Sequence, residues 1–167
     1  MKIQLVLHNI RSAYNVGAIL RTAEGLGVEW AMFSGYTPRY DDKNLLPHLR
    51  DKLNRQIAKA ALGAEEMVSQ LAVDDLPAWL EQQKADSWEI IGLENNLSPE
   101  EDARKLILGE HLDAEKVVLV LGEEVNGIPA EIRAKCNYFL EIPMFGRKES
   151  FNVSVATGIA VWALQNS

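Results

Sequence analysis

The stretch KVVLVLG (116–122) decides the fold class. Five apolar residues in a row, Val117 to Leu121, leave no polar position for a solvated face, and the run is too short for a helix. Such a strand is buried on both faces, as in a parallel sheet with helices on either side. Working outward, IQLVL (3–7), WAMFSG (30–35), part of 66–73, WEIIGLE (88–94) and FLEIPM (139–144) also read as strands. Helical patterns separate them. NVGAILRTAEGLG (15–27) places Val16, Ile19, Leu20, Ala23 and Leu26 on one stripe, with Asn15 as its cap and Gly27 as its stop. Further helices are expected at 49–62, at 76–85 beginning near Pro77, and as a short turn opening at Ser98–Pro99. Tyr36–Pro47 is polar and turn-rich. Repeated strand–helix alternation predicts an α/β class: a single domain with a mostly parallel sheet flanked by helices.

Composition narrows the functional classes. The chain has 167 residues, of which 47% are hydrophobic and 25% charged, values of a folded globular protein. The N-terminus has no signal-peptide pattern and no segment is long and apolar enough to span a bilayer, so no membrane association is expected. The single cysteine, Cys136, has no partner for an internal disulfide and reads as a small buried hydrophobe; with the missing signal it points to the cytoplasm. His8, His48 and His111 have no metal-ligand spacing, so no metal is expected. A net charge of −7 argues against a general nucleic-acid binder. Residues 39–59 nevertheless hold six basic side chains against three acidic ones, either a solvated helix face or a local guide for a polyanion.

Three constellations carry chemistry. NIRSAYNVGAILRTA (9–23) concentrates Asn9, Arg11, Ser12, Asn15 and Arg21 at a strand–loop–helix junction, with Arg21 off the apolar stripe. LVLGEEVNGIPAEI (119–132) runs from a buried strand through Gly122, Glu123 and Glu124 to a helix at Pro129, the kind of junction where open α/β sheets bind ligands. It matches neither the dinucleotide glycine fingerprint nor the phosphate loop with its Gly-Lys-Ser/Thr, which excludes those NAD and ATP sites. IPMFGRKESFNVSVATGIAVWAL (142–164) places Ser150 and Asn152 before a helix that is apolar nearly all round and must be buried on several sides. Each segment alone is also satisfied by ordinary caps and solvated turns.

In order and wording, N-x-R-S-x-x-N-x-G-x-x-x-R-T-A, L-x-L-G-x-E-x-x-G-I and I-P-M-x-G-x-x-x-S-x-N-V-S-V-A closely resemble the SpoU/TrmH branch of the SPOUT RNA methyltransferases. KAALGAEE (59–66) also resembles a segment of that branch, and the likeness covers essentially the whole chain. It implies one SPOUT domain over 1–167 and a deep trefoil knot near the C-terminus that the general rule of un-knotted chains would not give; as a departure from many relatives, no appended RNA-binding domain is expected. It implies a homodimer packed through the knot region and C-terminal helix. It further implies methyl transfer from S-adenosylmethionine to a ribose 2′-hydroxyl of transfer or ribosomal RNA. A base acceptor and a non-catalytic RNA-binding relative are the alternatives.

By this likeness the cofactor pocket involves Leu93, Glu94, Leu121, Gly122, Ile142, Pro143, Met144, Ser150, Asn152 and Val153. Gly122, Ile142 and Met144 would act through their backbones. Arg21 is the implied catalytic residue, acting beside the partner subunit's cofactor, with Asn15, Glu124, Ser150 and Asn152 ordering ribose, phosphate and loops. Arginine is too basic to accept a proton, so Arg21 would hold a phosphate and the hydroxyl. RNA contact falls to Asn9, Arg11, Ser12, Arg39, Lys43, Arg50, Arg55, Arg147 and Lys148.

Overall fold

The structure, a computed structural model, describes residues 1–109 and 111–166. The first half runs β1 (Lys2–His8), α1 (Ala13–Gly25), β2 (Trp30–Ser34), α2 (Pro47–Ala61), α3 (Ala64–Met67), β3 (Ser69–Val73) and α4 (Leu76–Ala85). The second half runs β4 (Glu89–Leu93), α5 (Pro99–Asp102), β5 (Lys105–Leu106), β6 (Lys116–Leu121), α6 (Ala130–Arg133), β7 (Tyr138–Leu140) and α7 (Val153–Gln165). The strands form one sheet in the order β3-β2-β1-β6-β4-β7-β5, and every pairing is parallel. All strands therefore end at the same edge of the sheet. The segments 9–12, 35–46, 94–98, 122–129 and 141–152 gather there.

The apolar run Val117–Leu121 is central. β6 pairs with β1 on one side and β4 on the other. Its residues alternate between two apolar layers. Val117, Leu119 and Leu121 join Leu5, Ile19, Leu20 and Val161 beneath α1, α2 and α7. Val118 and Val120 join Leu80, Ile90, Ile132 and Phe139 beneath α4 and α6. Each fully buried side chain of this size contributes roughly 1.5–3 kcal/mol, so β6 stabilises both layers at once.

α1 ends as the sequence predicts. Gly27 takes φ +70, its N–H bonds the Glu24 carbonyl (3.0 Å), and the Val28 N–H reaches Ala23 (2.8 Å). Its start is a correction. Ser12, not Asn15, caps the helix, accepting the Asn15 N–H at 3.2 Å, so the cap lies three residues earlier than expected. The Asn15 side chain is occupied elsewhere. β7 is likewise shorter than FLEIPM: pairing stops at Leu140 opposite Leu93 and Leu106, and Pro143 has no N–H to extend it. The short α5 has the expected Ser98 start, with a capping box formed by Ser98 and Glu101. The short α3 and β5 carry too little periodicity to be read from sequence. Among the described residues, no helix is long and apolar enough to cross a membrane.

α1 and α2 cross in close contact at Gly17, where an added Cβ would lie 2.3 Å from the Ile57 carbonyl oxygen. Gly25, on the same helix, has open space around that position. Gly17→Ala is therefore expected to lower stability by about 1–3 kcal/mol in urea denaturation. Gly25→Ala is expected to be neutral or to stabilise by up to about 1 kcal/mol, the last turn of the helix being relieved of glycine's entropy.

Candidate functional site

At the carboxyl edge lies a cavity of about 400 Å³. Leu93, Glu94, Asn95 and Asn96 form one wall, residues 121–127 a second, and Ile142 with residues 149–153 a third; Arg133 and Ala156 complete the lining.

The second wall is folded tightly onto its strand. Glu123 and Gly127 exchange both backbone hydrogen bonds, at 3.1 and 2.9 Å, and Gly127 takes φ +69. A Cβ on Gly122 would sit 2.4 Å from the Gly127 carbonyl carbon, so the turn closes only over a glycine. From this turn Glu124 reaches the start of α1. Its carboxylate accepts the Asn15 side-chain N–H at 3.1 Å, the Arg11 N–H at 3.3 Å and, more loosely, the Ser12 N–H at 3.5 Å. Burial raises the Glu124 pKa, but hydrogen bonds from backbone N–H groups and Asn15 outweigh it and hold the carboxyl below its ordinary value. Asn15 in turn accepts the Asn152 side-chain N–H at 3.1 Å. Asn152 caps α7, accepting the Ser154 N–H at 2.9 Å. One hydrogen-bonded sequence, Glu124–Asn15–Asn152, thus joins all three sequence constellations at the cavity.

Of the residues expected to hold a cofactor, Leu93, Glu94, Leu121, Gly122, Ile142, Ser150, Asn152 and Val153 line the cavity. Pro143 is exposed and Met144 half-buried, and neither is part of the lining. Arg21 stands exposed on α1, outside the lining of its own chain's cavity. Asn9 takes φ 58 and accepts the Tyr36 N–H at 3.3 Å, bracing the loop after β2. Arg11 extends over the Tyr36 ring (5.8 Å) and pairs with Glu123 (3.2 Å). The basic segment is partly neutralised from within: Arg39 pairs with Asp42 at 3.0 Å, while Lys43 and Arg50 both pair with Asp41. Arg55, Arg147 and Lys148 are exposed.

Sequence reading missed Arg133, which enters the cavity from α6. Its guanidinium binds Glu101 through two N–H groups (2.6 and 2.5 Å) and Glu94 at 3.3 Å. The only signal for it was its place in the helix that follows the Gly122–Gly127 turn. Cys136 is buried, and burial pushes its thiol up to about 12, which leaves it without nucleophilic character.

Comparison with known proteins identifies a family and a fold. The profile of the SpoU rRNA Methylase family matches residues 2–162. A Staphylococcus saprophyticus protein of the TrmH family is 30% identical over 95% of this chain and 56% of its own length. The Neisseria meningitidis 23S rRNA (guanosine-2′-O-)-methyltransferase RlmB is 33% identical over 94% of this chain and 55% of its own. The chain thus spans about half the length of these relatives. Among solved structures, the AdoMet-bound rRNA methyltransferase of Sinorhizobium meliloti superposes with a TM-score of 0.78 at 21% identity, covering 97% of this chain and 55% of that one. At that identity the likeness is one of fold.

The Arg133 pairing generates a pH dependence. Chiefly through that guanidinium, the Glu101 carboxyl is held at about 2, against 4.5 for an ordinary glutamate. Because the folded value is the depressed one, its contribution to stability is complete above about pH 4.5 and is lost as pH falls toward 2. Thermal melts from about pH 6 down to about pH 3 should show a falling Tm, and Glu101→Gln should flatten that fall.

Proposed function

The chain belongs to the SpoU rRNA methylase family, and from that premise we propose that it transfers a methyl group from S-adenosylmethionine to a ribose 2′-hydroxyl of transfer or ribosomal RNA. The observation that carries this reading is the Glu124–Asn15–Asn152 connection, which holds the three family motifs around one cavity. The acceptor follows the Neisseria relative, which acts on a guanosine 2′-oxygen.

The cavity fits the cofactor: its volume of about 400 Å³ lies within the range of sites for molecules of this size. Gly122 and Gly127 bring backbone rather than side chain to its wall, where peptide N–H and C=O groups can meet a purine edge. Ile142 and Val153 supply apolar cover, and Pro143 and Met144 border it from the adjoining loop. S-adenosylmethionine supplies a methyl group already activated on sulfonium, so the protein's task is alignment. Asn152 and Ser150 orient the ribose. Glu124 keeps the turn and the start of α1 in register. Arg21 holds an RNA phosphate and the hydroxyl beside it, and that phosphate receives the hydroxyl proton.

Arg21 reaches a cavity in a homodimer, at the site of the partner subunit. Support comes from α7. Thr157, Ala160, Val161 and Leu164 are buried within the chain, while Val155, Ile159 and Trp162 form a second apolar stripe at i, i+4 and i+7. Val155 and Trp162 are 50% and 61% exposed, a face that a second copy would cover. The C-terminal trefoil knot belongs to the same reading; β6 and β7 lie on opposite sides of β4, an arrangement compatible with it. RNA is gripped by Arg11, Arg55, Arg147 and Lys148, assisted by Asn9 and Ser12 at the edge, in a cytoplasmic enzyme whose residues 1–167 form a SPOUT domain. Arg39, Lys43 and Arg50 contribute less, being paired with aspartates, and Arg11 must exchange its Glu123 partner for a phosphate.

Protein incubated with radiolabelled S-adenosylmethionine and total RNA should yield labelled 2′-O-methylnucleosides after nuclease digestion; label in a base, or none, would overturn the assignment. Arg21→Ala should cut turnover by roughly a hundredfold or more, as for loss of a positioned transition-state donor. Gly122→Val should be inactive because the turn that forms its own cavity wall can no longer close. Mixing the two inactive variants should restore activity, since one mixed site has an intact cavity and a partner's Arg21. No recovery would place Arg21 at its own chain's site.

A further inference from the structure

We propose that Glu94 is a positioning residue for the cofactor, acting through its carboxylate on the Gly122–Gly127 turn rather than by touching the ligand. This rests on the S-adenosylmethionine reading of the cavity. Glu94 Oε1 accepts the Asn95 N–H at 3.0 Å. Oε2 accepts the Ile128 N–H at 2.8 Å and meets Arg133 at 3.3 Å. The Ile128 N–H is the first backbone donor after the left-handed Gly127, where the turn leaves the cavity wall. One carboxylate thereby ties the β4 wall to the β6 wall. The fit is close: a Cβ on Gly127 would lie 2.2 Å from Glu94 Oε2.

The charge on Glu94 is not needed to neutralise Arg133. Glu101 already binds that guanidinium through two hydrogen bonds, and Phe139 lies beneath it at 5.5 Å. What Glu94 alone supplies is the bond to Ile128. Glu101 shares the same arginine but does not touch the turn, which makes it an internal control. The two carboxylates thus have separable roles: Glu101 stabilises α5 and α6, and Glu94 sets the spacing of the two walls across which the cofactor binds.

Equilibrium dialysis with radiolabelled S-adenosylmethionine, beside thermal melts, tests this. Glu94→Ala should weaken cofactor binding roughly tenfold or more, the scale of a lost charge-assisted hydrogen bond. Glu94→Gln keeps one acceptor oxygen and should fall between Glu94→Ala and wild type. Glu101→Gln should lower the Tm while leaving cofactor affinity within about twofold of wild type. Wild-type affinity in Glu94→Ala would overturn the proposal, as would equal weakening by Glu94→Gln and Glu101→Gln. Failure of the wild-type protein to bind cofactor would instead refute the reading of the cavity.

Discussion

The pairing of β6 with β1 on one side and β4 on the other governs where everything else falls. A central parallel strand must be covered on both faces, which calls α1, α2 and α7 to one side and α4 and α6 to the other. Parallel pairing also sends every strand end to a single edge. Segments far apart in sequence, from Arg11 to Asn152, meet there without any of them having to be long. The functional edge is thus a consequence of strand direction, before any particular side chain is considered.

On that edge the side chains add precision. Glu124 is drawn to the start of α1 because the backbone N–H groups of Arg11 and Ser12, where the chain enters the helix, have no helical partners, and a carboxylate is their natural acceptor. Asn15 extends this bond to Asn152, which is itself the cap of α7. Three helix and strand ends are therefore linked by two side-chain bonds. The opposite side of the turn is fixed by Glu94, so the glycine-containing wall is held at both ends.

The strands and long helices were legible because burial leaves period in the sequence: the unbroken run of β6 and the stripe of α1 needed no further information. The motif residues were legible through family likeness, and most of those assigned to the cofactor pocket do line one cavity. What escaped reading depended on partners distant in the chain. Asn15 looks like a cap until Ser12 is seen to take that role and Glu124, 109 residues away, to claim its amide. Arg133 stands out only where Glu94 and Glu101 converge on it. Arg39 and Arg50 read as an RNA patch until the turn after β2 brings Asp42 and Asp41 against them. β5, two residues long, is a strand only because β7 lies beside it.

The account stands on the cavity at the carboxyl edge being a cofactor pocket built by backbone approach at Gly122. Titration calorimetry with S-adenosylmethionine tests that most directly. The account predicts saturable heat with one site per chain, lost in Gly122→Val while the fold is retained by circular dichroism. Absence of binding to the wild-type protein, or undiminished binding to folded Gly122→Val, would contradict it.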